Sequence, residues 1–260
     1  MRPIDTLPEA EARRIDTVVF DLDDTVLDHG SLGEAAYRAM FRLREVGLDL
    51  VACTGRPASW AELVLRQWPV SAALAENGAV AWTKDGGAPR LSDSVPAEER
   101  ARRREAVEHA GRIIERAHDL VRADDNGGRV TDLTFDIGEH QRVDAAVVEA
   151  ARTDATRLGM RSFVSSVHLH LTLDTYDKAS GFGALAMRRG VSPVRALKSA
   201  LYIGDSGNDA PAFAAFGLTV GVANVAPFVR SLSVPPRWVT RGSMGEGFAE
   251  LAAVVARLRR

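Results

Sequence analysis

Asp21 and Asp23 are, by type and spacing, the residues of this chain best suited to chemistry. They end the apolar run Thr17-Val18-Val19-Phe20, and Asp24 follows at once. A sheet core cannot hold these carboxylates unpaired. The run must deliver them to an open edge. Residues two apart in extended backbone point the same way, so Asp21 and Asp23 could address one reacting centre. One could attack it while the other handles a proton. A polar loop with Asp24 or Thr25 capping a helix would carry the same letters, so the choice rests on the rest of the chain.

A second acidic string, Gly204-Asp205-Ser206-Gly207-Asn208-Asp209, also follows a short apolar run, Ser199 to Ile203. Mg²⁺ takes one or two carboxylates and fills its octahedron with water and phosphate oxygens. Asp21, Asp205 and Asp209, the last directly or through water, could supply such a site. Thr54-Gly55-Arg56-Pro57 follows the run Leu48 to Cys53 and precedes a helix. Free N–H groups and the helix dipole make that junction an anion site. Thr54 is there either a phosphate ligand or a plain cap, and Arg56 either a phosphate ligand or a surface residue. Lys178, just before another helix, offers a compact cation for a phosphoryl group.

The elements that must position these groups follow from periodicity. Thr17–Phe20 is a strand, Leu32–Val46 an amphipathic helix, Leu48–Cys53 a strand, Ala58–Gln67 a helix and Ser71–Ala75 a third apolar run. This alternation is that of a parallel, doubly wound sheet. It resumes with a helix over Ser180–Arg189, a strand over Ser199–Ile203, a helix over Ala210–Phe216, a strand over Leu218–Ala223, a possible edge strand at Trp238–Thr240 and a closing helix over Phe248–Leu258. Two acid clusters, each ending a strand of one such sheet, open on the same edge, where α/β sheets bind ligands.

Between Ala79 and Tyr176 the character changes. Lys84–Pro89 reads as a turn and Ala97–Arg122 as a long charged helix. Thr131–Ile137 reads as a strand, Asp144–Leu158 as a helix capped by Asp144, and Arg161–Asp174 as a strand or hairpin. Val167, Leu169, Leu171 and Leu173 alternate with His168, His170 and Thr172, which gives a strand with one polar face. That face, with Arg129 and Arg142 in nearby segments, either binds substrate or meets solvent. The whole stretch reads as a second, inserted unit.

Bulk properties narrow the function further. The 260 residues are 46% hydrophobic, enough for a real core. Lys and Arg number 33 against 35 Asp and Glu, a net charge of -2, which makes no electrostatic case for nucleic acid or an anionic membrane. Arg102-Arg103-Arg104 lies among Glu98, Glu99, Glu105 and Glu108, as on a solvated helix face. The single cysteine, Cys53, rules out an internal disulfide and fits a cytoplasmic protein. The polar start, Met1 to Arg14, does not read as a signal peptide, and no apolar stretch spans a bilayer. The first strand leads to acids and not to Gly-x-Gly-x-x-Gly, which disfavours a dinucleotide enzyme.

Phe20-Asp21-Leu22-Asp23-Asp24-Thr25, Thr54-Gly55-Arg56-Pro57, Lys178 and Gly204-Asp205-Ser206-Gly207-Asn208-Asp209 together resemble, in order, the four motifs of the haloacid dehalogenase (HAD) superfamily. An insertion between the second and third motifs, entered through Glu76-Asn77-Gly78, resembles the α/β cap of the branch holding Cof-type sugar phosphatases, sucrose-phosphate phosphatase and phosphomannomutase. Asp24 stands where that branch usually has Gly. The resemblance implies a Rossmann-like α/β core over residues 1–78 and 177–260 and an α+β cap over 79–176. It implies that Asp21 is the nucleophile, that Asp23 is the acid and base, and that Thr54 and Lys178 hold phosphoryl oxygens. Gly55, Arg56 and Asn77 would meet substrate, and so, by the alternation of their strand and not by the resemblance, would His168 and His170 if their face binds substrate. Asp21, Asp23 through its carbonyl, Asp205 and Asp209 would organise Mg²⁺, with Asn208 steadying the loop. The expected function is Mg²⁺-dependent hydrolysis of a small phosphorylated metabolite, a sugar phosphate, through an aspartyl-phosphate. A phosphomutase and a non-catalytic sugar-phosphate-binding protein are the alternatives.

Overall fold

Short runs of β-branched and apolar residues, uninterrupted by polar ones, make strands buried on both faces. The computed structural model describes residues 1–165 and 167–260. In it β1 is Arg2–Pro3, β2 Thr17–Phe20, β3 Asp49–Cys53, β4 Ala72–Ala75, β5 Val80–Asp85 and β6 Ala88–Asp93. Later in the chain come β7 at Asp132–Asp136, β8 at Arg161–Val164, β9 at His168–Thr172, β10 at Ala200–Gly204, β11 at Leu218–Gly221 and β12 at Trp238–Val239. Besides a four-residue turn of helix at Glu9–Ala12, the helices are α1 (Glu34–Glu45), α2 (Ala58–Gln67), α3 (Ala97–His118), α4 (Ala145–Arg157), α5 (Lys178–Arg188), α6 (Pro193–Ser199), α7 (Ala210–Ala215) and α8 (Met244–Arg259).

One nine-stranded sheet runs in the order β1-β12-β11-β10-β2-β3-β4-β5-β6. From β1 to β4 every pairing is parallel. Val18 of β2 sits between Leu50 and Leu201, so β2 is central. Helices cover both faces. On one, α1 and α8 bury Met40, Leu43, Phe248 and Leu251 against the sheet, with the Phe20 and Phe248 rings 5.3 Å apart. On the other, Phe182, Phe213 and Phe216 cluster around Tyr202.

A separate antiparallel sheet, β8-β9-β7, carries α3 and α4 on one face. Period-two alternation decides which side chains face where. Leu169 and Leu171 join Val107, Ile114, Leu133 and Phe135 beneath the helices. His168 and His170 point the other way, toward the main sheet's open edge.

Three expectations change. The second unit does not begin at Ala79, because β5 and β6 hydrogen-bond antiparallel onto β4 and extend the main sheet to Asp93. Lys84–Pro89 is only the tip of that hairpin, where Gly86 and Gly87 take positive φ. Helix α3 stops at His118, since Asp119 adopts a left-handed conformation, φ 52°. β12 is not the edge strand, because β1 pairs outside it. Asp24 also takes a left-handed conformation, φ 53°, which glycine adopts most readily and which accounts for the glycine usual there. No helix among the described residues is long and apolar enough to cross a membrane.

Gly78, φ 96°, follows β4 and rests against the start of α5. A Cβ on Gly181 would stand 2.4 Å from the Gly78 Cα. This backbone-to-backbone contact seats the first turn of α5, which carries Lys178. Gly181→Ala is expected to destabilise the protein by about 1–3 kcal/mol through overpacking, and to shift Lys178. Thermal melting and hydrolysis assays on the same preparation check it; an unchanged melting temperature would contradict the contact.

Candidate active site

β2 leads directly into Asp21, whose backbone N–H donates to Ile203 O at 3.0 Å. Its carboxyl is buried, 3% exposed. Lys178 Nζ lies 2.8 Å from Asp21 Oδ1 and 2.6 Å from Asp209 Oδ1, with no exposed surface of its own. Asp177 caps α5 through Ala179 N and Ser180 N, which fixes the position of Lys178 one residue on. Asp209 is filled on all sides. Oδ1 also accepts from Tyr202 Oη at 2.5 Å, and Oδ2 accepts from Asp205 N at 2.8 Å and Ser206 N at 3.0 Å. A carboxylate has about four lone-pair positions, so Asp209 has none free. It ties Lys178 to the Asp205 loop. Asn208 Oδ1 adds contacts from Ser206 Oγ at 2.9 Å and Lys178 Nζ at 3.4 Å.

Ligand atoms of Asp21, Asp205 and Asp209 lie within 4.8 Å of one another. Burial pushes the Asp21 acid up to about 7, against the pull of Lys178. Burial, then Asp209 and Asp21, push Asp205 up to about 9. Lys178 is shifted up despite its own burial, because Asp209 and Asp21 flank it. Three buried carboxylates thus share one ammonium. That excess of negative charge, in an all-oxygen donor set, fits a hard divalent cation. Thr25 Oγ1 and Asn224 Nδ2 each reach Asp205 at 3.3 Å and hold its orientation.

Asp23 is gripped by Arg56, with Nε at 2.8 Å and Nη2 at 2.6 Å from Oδ1. The Arg56 guanidinium stacks 3.9 Å above the Trp60 ring. Thr54 is buried, and its Oγ1 accepts from Arg56 N at 3.0 Å, which leaves the hydroxyl proton to donate.

A cavity of about 290 Å³ opens between this cluster and β9, lined by Asp21, Asp23, Gly55, Arg56, His168 and His170, among others. The polar face of β9 therefore looks into the site and not into solvent. His170 Nδ1 is 2.8 Å from Asp132 Oδ2, and His168 Nε2 is 2.9 Å from Glu139 Oε2. Against its burial, Arg129 and His170 hold Asp132 down at about 2. Thr172 turns to Thr131 O at 3.3 Å. Arg142 is exposed and is not part of the wall.

Asn77 does not line this cavity. It lies behind Gly55, and its side-chain amide has no hydrogen-bond partner among the described residues. Its φ of 56° explains its type, since Asn tolerates the left-handed region better than most residues. Its neighbour Glu76 joins the two units. The buried carboxylate accepts from Ala58 N and Val130 N at 3.1 and 2.9 Å, from Thr131 N and Oγ1 at 2.5 and 2.6 Å, and from Asp132 N at 3.3 Å. Burial and the Asp132 charge push the acid up to about 7 against those donors. Trp60, Asp125, Glu139, Tyr202 and Asn224 carried no motif that would single them out, and Thr25 and Glu76 lay in quoted motifs without a role of this kind. Asn224 alone gave a hint, lying just past a parallel strand end.

Residues 18–102 match the family model of haloacid dehalogenase-like hydrolases. The chain is 24% identical over 235 residues to a phosphoglycolate phosphatase of Methanococcoides burtonii, covering 90% of this chain and 93% of that protein. It is 25% identical to a phosphoglycolate phosphatase of Methanothermobacter thermautotrophicus, covering 90% and 95%. Among solved structures, a Thermoplasma acidophilum protein superposes with a TM-score of 0.74 at 19% identity, covering 94% of this chain and 99% of that one. The sucrose-phosphatase of Synechocystis, solved with sucrose and phosphate, gives 0.65 at 17%, covering 94% and 98%. These two likenesses carry the fold.

A carboxyl whose folded value is raised stabilises the protein below its unfolded value and loses that contribution as pH climbs through the folded value. For Asp21 and Asp205 that window runs from about 4 to about 7 and about 9. Lys178 stays charged throughout it. In chelator, the melting temperature is expected to fall between about pH 5 and about pH 9, and millimolar Mg²⁺ to raise it most at the alkaline end. A melting temperature indifferent to Mg²⁺ at every pH would contradict the cation site.

Proposed function

Taking the chain as a haloacid dehalogenase-like phosphatase, we propose that it hydrolyses the phosphomonoester of a small metabolite, a sugar phosphate, through a phosphorylated Asp21. The observation that carries this reading is the pairing of one buried carboxylate, 2.8 Å from the Lys178 ammonium, with a second carboxylate held by Arg56 at the same cavity.

Asp21 Oδ attacks phosphorus while the ester P–O bond breaks. Asp23 hands a proton to the departing oxygen, and the phosphoryl group now rests on Asp21. Asp23, then ionised, takes a proton from water as the water oxygen attacks phosphorus. The bond from phosphorus to Asp21 breaks, and inorganic phosphate leaves. Arg56 aims Asp23 through both steps. Lys178 and the Thr54 hydroxyl bind phosphoryl oxygens, and Lys178 opposes the upward push of burial on the Asp21 acid. Asp21, the Asp23 carbonyl and Asp205 would hold Mg²⁺. Asp209, its acceptors all taken, would act behind them on the loop and on Lys178. Bound there, the cation supplies charge neutralisation at the phosphoryl oxygens.

Asp21→Asn keeps the shape of the side chain and removes its nucleophilicity. It is expected to abolish phosphate release with the fold intact, read by circular dichroism and a phosphate assay. Asp23→Asn is expected to lower kcat by about 10²–10⁴-fold. Sustained multiple turnover by clean Asp21→Asn protein would overturn the covalent route.

A further inference from the structure

The far wall of the cavity, opposite Asp21, is built from the inserted unit: Asp125, Arg129, Glu139, His168 and His170. Its composition bears on what the leaving group must look like. Both arginines that line the cavity are already committed. Arg56 is paired with Asp23. Arg129 is buried, with Nε 2.9 Å and Nη2 2.7 Å from the two Asp125 oxygens and Nη1 3.1 Å from Asp132 and 3.1 Å from Gly55 O. Neither has its fork left for a carboxylate on a ligand.

The acceptors on this wall are better placed. His170 is 1% exposed, stacked 4.4 Å from the Phe163 ring, and its Nδ1 faces Asp132 Oδ2. Burial shifts its pKa down, so the ring is neutral. The Asp132 carboxylate can only accept, so Nδ1 carries the ring proton and Nε2 is left as an acceptor nitrogen. The acids around it outnumber the cations. Asp125 and Glu139 line this wall and Asp132 stands directly behind His170, while the wall's one arginine, Arg129, is taken up by Asp125 and Asp132; Glu139 meets His168 Nε2 through one oxygen, Oε2, at 2.9 Å.

We propose that this wall binds the end of the leaving group remote from phosphate through hydrogen-bond donors on the ligand, hydroxyl or ammonium, and rejects a carboxylate there. His170, held by Asp132 and Phe163, and Glu139 are the specificity-determining residues. The proposal rests on the phosphatase reading above. It sets this chain apart from the two relatives named for phosphoglycolate, whose substrate carries a carboxylate.

The test uses three phosphorylated six-carbon compounds, two hexose phosphates and one aldonate, that differ in the group they carry away from phosphate. Glucose 6-phosphate is neutral there, glucosamine 6-phosphate has an ammonium, and 6-phosphogluconate has a carboxylate. 4-Nitrophenyl phosphate reports whether the enzyme hydrolyses phosphomonoesters at all. In the wild type, 6-phosphogluconate is expected to show kcat/KM at least about tenfold below glucose 6-phosphate, with the difference in KM. Glucosamine 6-phosphate exceeding glucose 6-phosphate identifies the donor as an ammonium; the reverse order identifies it as a hydroxyl. Glu139→Arg, at a partly exposed side chain that the fold does not bury, is expected to narrow the gap between 6-phosphogluconate and glucose 6-phosphate by about tenfold. 6-Phosphogluconate or phosphoglycolate matching or outrunning glucose 6-phosphate in the wild type would overturn the inference, as would a gap that Glu139→Arg leaves unmoved. Failure to hydrolyse even 4-nitrophenyl phosphate would instead sink the phosphatase reading.

Discussion

Lys178 has no exposed surface, yet its ammonium lies between Asp21 and Asp209, and Asp205 completes the cluster. Removing an ion from water is expensive, and breaking a buried pair leaves the survivor uncompensated. The rest of the site is arranged around that demand. Tyr202 donates from inside the sheet, two backbone N–H groups close over Asp209, and Asp177 caps the helix that supplies the lysine. The clustered carboxylates that fit a divalent cation are thus the same groups whose pairing holds the strands' ends together.

Placing a lysine between two carboxylates requires strand ends and a helix start to meet within a few ångströms. The parallel sheet does the first part, since β2 and β10 are neighbours in register and both end in acid. The second part falls to backbone without side chains, Gly78 against Gly181. Neither device contributes chemistry. Both determine whether the chemistry's distances are possible.

Much of the core was legible in the sequence because its signals are local. Apolar runs of strand length ending in acid are read residue by residue, and α2 begins and ends where periodicity puts it, at Ala58 and Gln67. The acids Asp21, Asp205 and Asp209 stood out by type. What stayed hidden depended on contacts between distant segments. Trp82 and Leu91 alternate with polar residues in a way that suits an edge hairpin. Nothing local says which sheet the hairpin joins, so the boundary at 79 fell too early. Asn77 was expected at the substrate from the resemblance, and it lies behind Gly55 in a left-handed backbone conformation that suits its type. Tyr202 lay unremarked within an apolar strand, and its ring is core; only its hydroxyl reaches the cluster. His168 and His170 were correctly grouped by alternation, but the direction of their face needed the fold.

Glu76 gives the molecule a mechanical property that neither unit has alone. One carboxylate holds the first turn of α2, next to the Thr54–Arg56 loop, and the start of β7, which carries Asp132. The inserted unit thus meets the Thr54–Arg56 loop twice, through Glu76 and through Arg129, whose Nη1 donates to Gly55 O at 3.1 Å. A change at Glu76 therefore reaches both walls of the cavity at once, through the start of α2 on one side and through Asp132, which holds His170, on the other.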